Sequence, residues 1–136
     1  MHCKRTLAMT ALAVLIAITL VTRSHAADLT LEWTAPGGDG LSGRAARYDL
    51  RWSRQFISDV GFALANTVSG LPTPGEPGTL EACTISGLDA GVTYYFAIKA
   101  ADAAGNWSAM SNVLFGRIPE VGCDTVVLAP AFAPPW

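Results

Sequence analysis

The chain has 136 residues, 51% of them hydrophobic and 15% charged, with nine Lys and Arg against eleven Asp and Glu. That length holds one domain and its attachments. The formal charge is −2, and with Lys4, Arg5 and Arg23 of the N-terminal segment set aside it is −5, six basic against eleven acidic, which argues against nucleic acid as a partner.

The first attachment is N-terminal. Lys4 and Arg5 form a short cationic region, Leu7 to Val21 is apolar, and Ser24-His25-Ala26 puts small residues at the −3 and −1 positions of a cleavage site. This reads as a secretory signal peptide over 1–26, cleaved after Ala26, which places the rest of the chain outside the cell or in the periplasm. The alternative is an uncleaved anchor, since the apolar run approaches the length of roughly 17 to 25 residues that can span a bilayer; the membrane would be met only through that segment.

Cleavage removes Lys4, Arg5 and Arg23, leaving six basic against eleven acidic side chains. It also removes both histidines, His2 and His25, and with them the imidazole of a triad, a Cys-His pair or a His metal site. Cys3 leaves too. Cys83 and Cys123 remain, and two readings stay open: a disulfide in an oxidising compartment, or a free buried thiol at Cys83.

From Asp28 onward, short apolar alternations are broken by Gly, Pro and Asp clusters, and no window keeps a helical period. Leu29, Leu31 and Trp33 share one face of a first strand, which ends at Ala35-Pro36-Gly37-Gly38-Asp39-Gly40. The second strand, Arg47 to Ser53, turns Tyr48, Leu50 and Trp52 inward and Arg47, Asp49, Arg51 and Ser53 outward. A less regular stretch, Phe56 to Val68, leads to a short edge strand near Ala65 to Ser69. Leu71 to Gly78 is expected as an exposed loop, because its prolines lack donors and its glycines add entropy.

Thr79 to Ser86 follows as a strand with Cys83 and Ile85 on one face. After a turn at Gly87 to Gly91 comes the most apolar strand, Thr93 to Ala101, with Tyr94, Phe96, Ile98 and Ala100 on one side and Tyr95, Ala97, Lys99 and Ala101 on the other. A turn at Asp102 to Asn106 precedes the last strand, Ser111 to Arg117, whose consecutive Val113, Leu114 and Phe115 leave the facing ambiguous; Val113 and Phe115 are taken as the inward pair. Six strands at intervals of about ten residues make an all-β, two-sheet sandwich.

Three motifs resemble the fibronectin type III domain, over Leu29 to about Ile118. Leu31-Glu32-Trp33-Thr34-Ala35-Pro36 is similar to that family's second strand with its core tryptophan. Gly87-Leu88-Asp89-Ala90-Gly91-Val92-Thr93-Tyr94 resembles its tyrosine corner, with Ala90 in place of the usual proline. Ala100 to Ser108, leading to Ser111-Asn112, resembles its last loop and strand. The loop Ala35 to Gly43 before Tyr48 resembles the version in extracytoplasmic bacterial members. The resemblance implies an immunoglobulin-like sandwich over 29–118, with the tyrosine hydroxyl bonded back to the backbone upstream.

The family's first strand is missing from this pattern, since only Ala27 and Asp28 separate the cleavage site from Leu29. An open edge at Leu29 to Thr34 would be a template for self-association. The tail, 119–136, is Pro-rich and apolar. Either Thr125 to Ala129 folds back beside Leu29 to Thr34, tethered by a Cys83–Cys123 bridge, or the tail is disordered or a remnant of a larger protein.

For a ligand face, the resemblance implies a strand order that brings outward Arg47 and Arg51 near Tyr95 and Lys99, where a guanidinium over a ring could form a platform. The alternative is a solvated face balanced by Asp49. Trp107 resembles a loop tryptophan that stacks on cationic side chains in some relatives; the other reading is an exposed ligand contact. Asp39, Asp102 and Glu120 are scattered, without the alternating oxygens of a calcium loop, so no metal and no cofactor are expected. Asn106-Trp107-Ser108 matches an N-glycosylation sequon and is read as part of the family's turn. No catalytic residues are expected. The preferred function is a non-catalytic binding or adhesion module for a protein or polysaccharide; the alternative is a passive spacer, or a fragment of a multidomain surface protein or secreted hydrolase.

Overall fold

The computed structural model describes residues 26–37, 43–120 and 125–132. Its strands are β1 (Ala26–Thr34), β2 (Arg47–Ser53), β3 (Asn66–Thr67), β4 (Leu80–Asp89), β5 (Thr93–Ala101), β6 (Leu114–Arg117) and β7 (Thr125–Phe132), with a 3₁₀ turn at Phe62–Leu64. They form a three-stranded sheet, β4-β1-β7, and a four-stranded sheet, β3-β2-β5-β6. The leader reading lies outside the described residues except for Ala26, which already pairs with Asp89 in β1.

The alternation along the strands becomes the core. Leu29, Leu31 and Trp33 of β1 meet Cys83, Ile85 and Leu88 of β4 on one side, and Tyr48, Leu50, Tyr94, Phe96, Ile98 and Ala100 of the opposing sheet on the other. Each fully buried Leu, Ile or Phe contributes about 1.5–3 kcal/mol. Trp33 packs edge-on against Tyr48 at 5.4 Å, and Trp52 against Tyr94 at the same distance. The tyrosine corner is present: the Asp89 amide donates to the Tyr94 hydroxyl at 3.0 Å. Gly91, with φ of +76°, turns the chain there and donates its N–H to the Ile118 carbonyl.

At one end of the sandwich an inward carboxylate organises a loop. Glu81 is the cross-strand partner of Trp33 and therefore faces inward with it. Its Oε2 accepts the Trp33 indole N–H at 3.1 Å, and its Oε1 accepts the Gly75 amide. The stretch Leu71 to Gly78 is thus not the wholly exposed loop its composition suggested: Pro74 is buried, and Leu71 packs on the core. The nearby Tyr48 hydroxyl is sealed in without a hydrogen-bond partner; burial, reinforced by Glu81, pushes its pKa above the ordinary phenol value.

Two open alternatives are decided and one further expectation is corrected. Of the two readings of the tail, the fold-back beside Leu29 to Thr34 is the one observed: β7 runs parallel to β1 from Asp28↔Thr125 to Trp33↔Phe132, so β1 is an inner strand and its edge is not open. The register shifts between Leu31 and Trp33, where Pro130 brings no N–H to the ladder.

Cys83 is a buried free thiol, the second of the two readings the sequence left open; the proposed partner Cys123 lies outside the described residues. Burial raises the thiol's pKa.

The facing of the last strand is the expectation that is corrected. Leu114 pairs with inward Phe96 and Phe115 with outward Tyr95, so Phe115 faces solvent. Val113 packs instead on a second apolar cluster, on the outside of the four-stranded sheet.

Candidate functional site

That outer face is laid out in cross-strand rows. β2 pairs with β5 as Arg47↔Ala101, Asp49↔Lys99, Arg51↔Ala97 and Ser53↔Tyr95, and β5 with β6 as Tyr95↔Phe115 and Thr93↔Arg117. Arg47, Arg51, Tyr95 and Lys99 therefore do share one face, with Trp107 at its margin. They do not form one platform.

At the first end the Arg47 guanidinium lies 5.1 Å from the ring centroid of Trp107, which bridges to Ala101. The turn beneath is closed by Asp102, which accepts the Asn106 backbone N–H at 2.8 Å and its side-chain amide at 2.9 Å. Those bonds, the side-chain amide's first, hold the Asp102 pKa below its ordinary 3.8. The Asn106 amide of the sequon is thus engaged within the turn.

In the middle, residues 56–65 fold back over the sheet. Ile57, Phe62 and Ala97 bury one another there, with Ala65, Tyr95, Met110 and Val113 around them. Phe62 draws both cations onto its ring: Arg51 at 5.1 Å and Lys99 at 4.6 Å from the centroid. Arg51 also donates to both Asp49 oxygens, at 2.9 and 3.0 Å, and to the Ala63 carbonyl at 2.9 Å. The Asp49 hydrogen bonds raise its already high pKa. Arg51 is consumed by the protein's own groups, and the open cationic platform is corrected to a packed one. The sequence showed the apolar residues of 56–65 without a period, so nothing in it said which face they would cover.

At the far end Tyr95 sits between two exposed rings. Phe56, 69% exposed, stands 6.2 Å from it at an interplanar angle of 79°; Phe115, 67% exposed, lies 5.8 Å away at 30°. Sequence reasoning missed both phenylalanines, reading Phe115 as inward. The one available signal was the register with β5, which makes Phe115 the neighbour of an outward Tyr95. Beside Phe56 a cleft of about 200 Å³ opens between Ser53, Gln55, Gly61 and Leu64.

The chemistry of this face is that of stacking and neutral hydrogen bonding. Its nearest charges are paired, Arg54 with Asp89 and Arg117 with Glu120. Among the described residues no group of three or more His, Cys, Asp or Glu is gathered that could hold a metal ion. Nor, among them, is any helix long and apolar enough to cross a membrane.

The family model described as fibronectin type III domain matches residues 17–116, beginning inside the apolar N-terminal stretch and ending in β6. Chitinase A1 of Niallia circulans is 38% identical over 94 residues, which cover 68% of this chain and 10% of that protein. The chain thus spans much less than two thirds of the length of that relative. No solved structure matches significantly. With its two facing sheets, its core Trp33, its Tyr94 corner and a family match over most of its length, the chain belongs to the fibronectin type III domain family.

Proposed function

We propose that this chain is a non-catalytic binding module that works outside the cytoplasm, in the company of polysaccharide-acting or surface proteins. The observation that carries the reading is the pair of exposed rings, Phe56 and Phe115, held on a strand face whose register is set by ladders on both sides of β5. An apolar surface of this kind, rimmed by polar groups, is characteristic of an interaction site. The similarity to part of Chitinase A1 and the signal-like leader support the setting.

A second reading, a passive spacer, is favoured by the small share of that relative which the matched region represents. One screen separates them. Residues 27–136, produced by secretion so that leader removal is checked by intact mass, are tested for retention on insoluble polysaccharides and on purified envelope proteins. Retention on any of them supports the module; none on all of them, with the fold intact, supports the spacer.

A further inference from the structure

The binding-module reading leaves the ligand class open, and the far end of the outer face narrows it. We propose that Tyr95 and Phe115 form a stacking floor, with Phe56 standing as a wall at its end, for an uncharged, extended polysaccharide running across the strands rather than along them. This rests on the binding-module reading above and adds to it a location and a ligand chemistry.

The direction follows from the ladder. Ser53, Tyr95 and Phe115 occupy one cross-strand row over β2, β5 and β6, and Phe56 follows Ser53 by three residues. The 5.8 Å step from Tyr95 to Phe115 is set by strand spacing and by the lean of the side chains, and the two rings lie 30° from coplanar. They can lie under neighbouring sugars of a flat chain, whose axial C–H faces are apolar and whose hydroxyls point sideways; Phe56, beyond the end of β2 and at 79° to Tyr95, bounds that floor edge-on.

The charge pattern selects a neutral ligand. Around the rings stand Ser53, Gln55 and Thr93, which offer hydroxyl and amide groups to sugar hydroxyls. The nearest cations, Arg54 and Arg117, are occupied by Asp89 and Glu120. Other cations of the same face, Arg47, Arg51 and Lys99, stack on Trp107 and Phe62. An acidic ligand would find no free charge in this row, whereas a neutral one sacrifices no ion pair. The cleft beside Phe56, at about 200 Å³, takes a ring substituent rather than a separate ligand.

The test uses residues 27–136 with two probes, chitin and cellulose suspensions, and a soluble hexasaccharide of each for calorimetry. The variants are Phe56→Ser/Phe115→Ser, which touches only exposed rings, and the triple with Tyr95→Ala. Leu80→Ser, on an exposed residue of the other sheet, is the control. Thermal melts confirm that each variant is folded. Each ring contact is worth about a two- to tenfold change in affinity, so the double variant should weaken retention about tenfold or more while the control binds as the parent does.

Retention equal in the double variant and the parent overturns this site while leaving the module reading intact. Absence of retention on both probes overturns the ligand class. If the parent then self-associates, or binds a purified envelope protein, through a surface the double variant abolishes, the rings belong to a protein interface instead.

Discussion

Single side chains close this sandwich where backbone ladders stop. The Tyr94 hydroxyl accepts the Asp89 amide at the crossover between sheets, and the Arg54 guanidinium lies 5.6 Å from the same ring. Removing the hydroxyl leaves the amide without its acceptor while the ring stays packed against Trp52 and Phe96. Tyr94→Phe should therefore cost about 1–3 kcal/mol, read as a lower urea midpoint with an unchanged denaturant slope. The tyrosine corner was legible from Gly87 to Tyr94 because all its parts lie within eight consecutive residues. The inward role of Glu81 was not: a carboxylate in an alternating strand reads as solvent-facing until its cross-strand partner turns out to be Trp33.

At the scale of elements, β2 and β5 have the limits their alternation predicts, since both are long, regular and paired on both sides. β4 runs on to Asp89 where a turn at Gly87 was expected, with an irregularity opposite, between Ala27 and Leu29, absorbing the change. The turn after β5 carries its own pH dependence. Asp102 has a folded pKa below 3.8, so its bonds to Asn106 contribute stability that is present above the ordinary carboxylate pKa and is lost as pH falls through the lowered one. A carboxyl-detected NMR titration should show Asp102 protonating below the ordinary carboxylate value of 3.8, with the Asn106 amide shifting in step. In Asp102→Ala that amide should lose its low-pH inflection.

For the whole molecule, the decisive feature is that β7 lies beyond the family match at residue 116 and pairs with β1. Deleting residues 121–136 turns β1 into a bare edge carrying Leu29, Leu31 and Trp33 at the rim of the core. The expected outcome is a lower melting temperature together with concentration-dependent association, seen by light scattering on a sizing column. An unchanged melt in a strictly monomeric deletion would mean that β7 contributes nothing to closing the sandwich.

Alternation of apolar and polar residues, the turn clusters and the Trp33 and Tyr94 motifs determined by themselves that this is a two-sheet sandwich of the fibronectin type III kind, because a strand's two faces are written in neighbouring residues. The facing of Val113, Leu114 and Phe115 was decided by pairing with β5, since consecutive apolar residues carry no period to break the tie. The fate of residues 56–65, whose Phe62 packs with Ile57 and Ala97 and draws Arg51 and Lys99 onto its ring, was likewise a tertiary matter. So was the meeting of Phe56, Tyr95 and Phe115. Those groups are distant in sequence; the register of β5 with β6 brings Phe115 beside Tyr95, and the path of the chain beyond β2 brings Phe56 there.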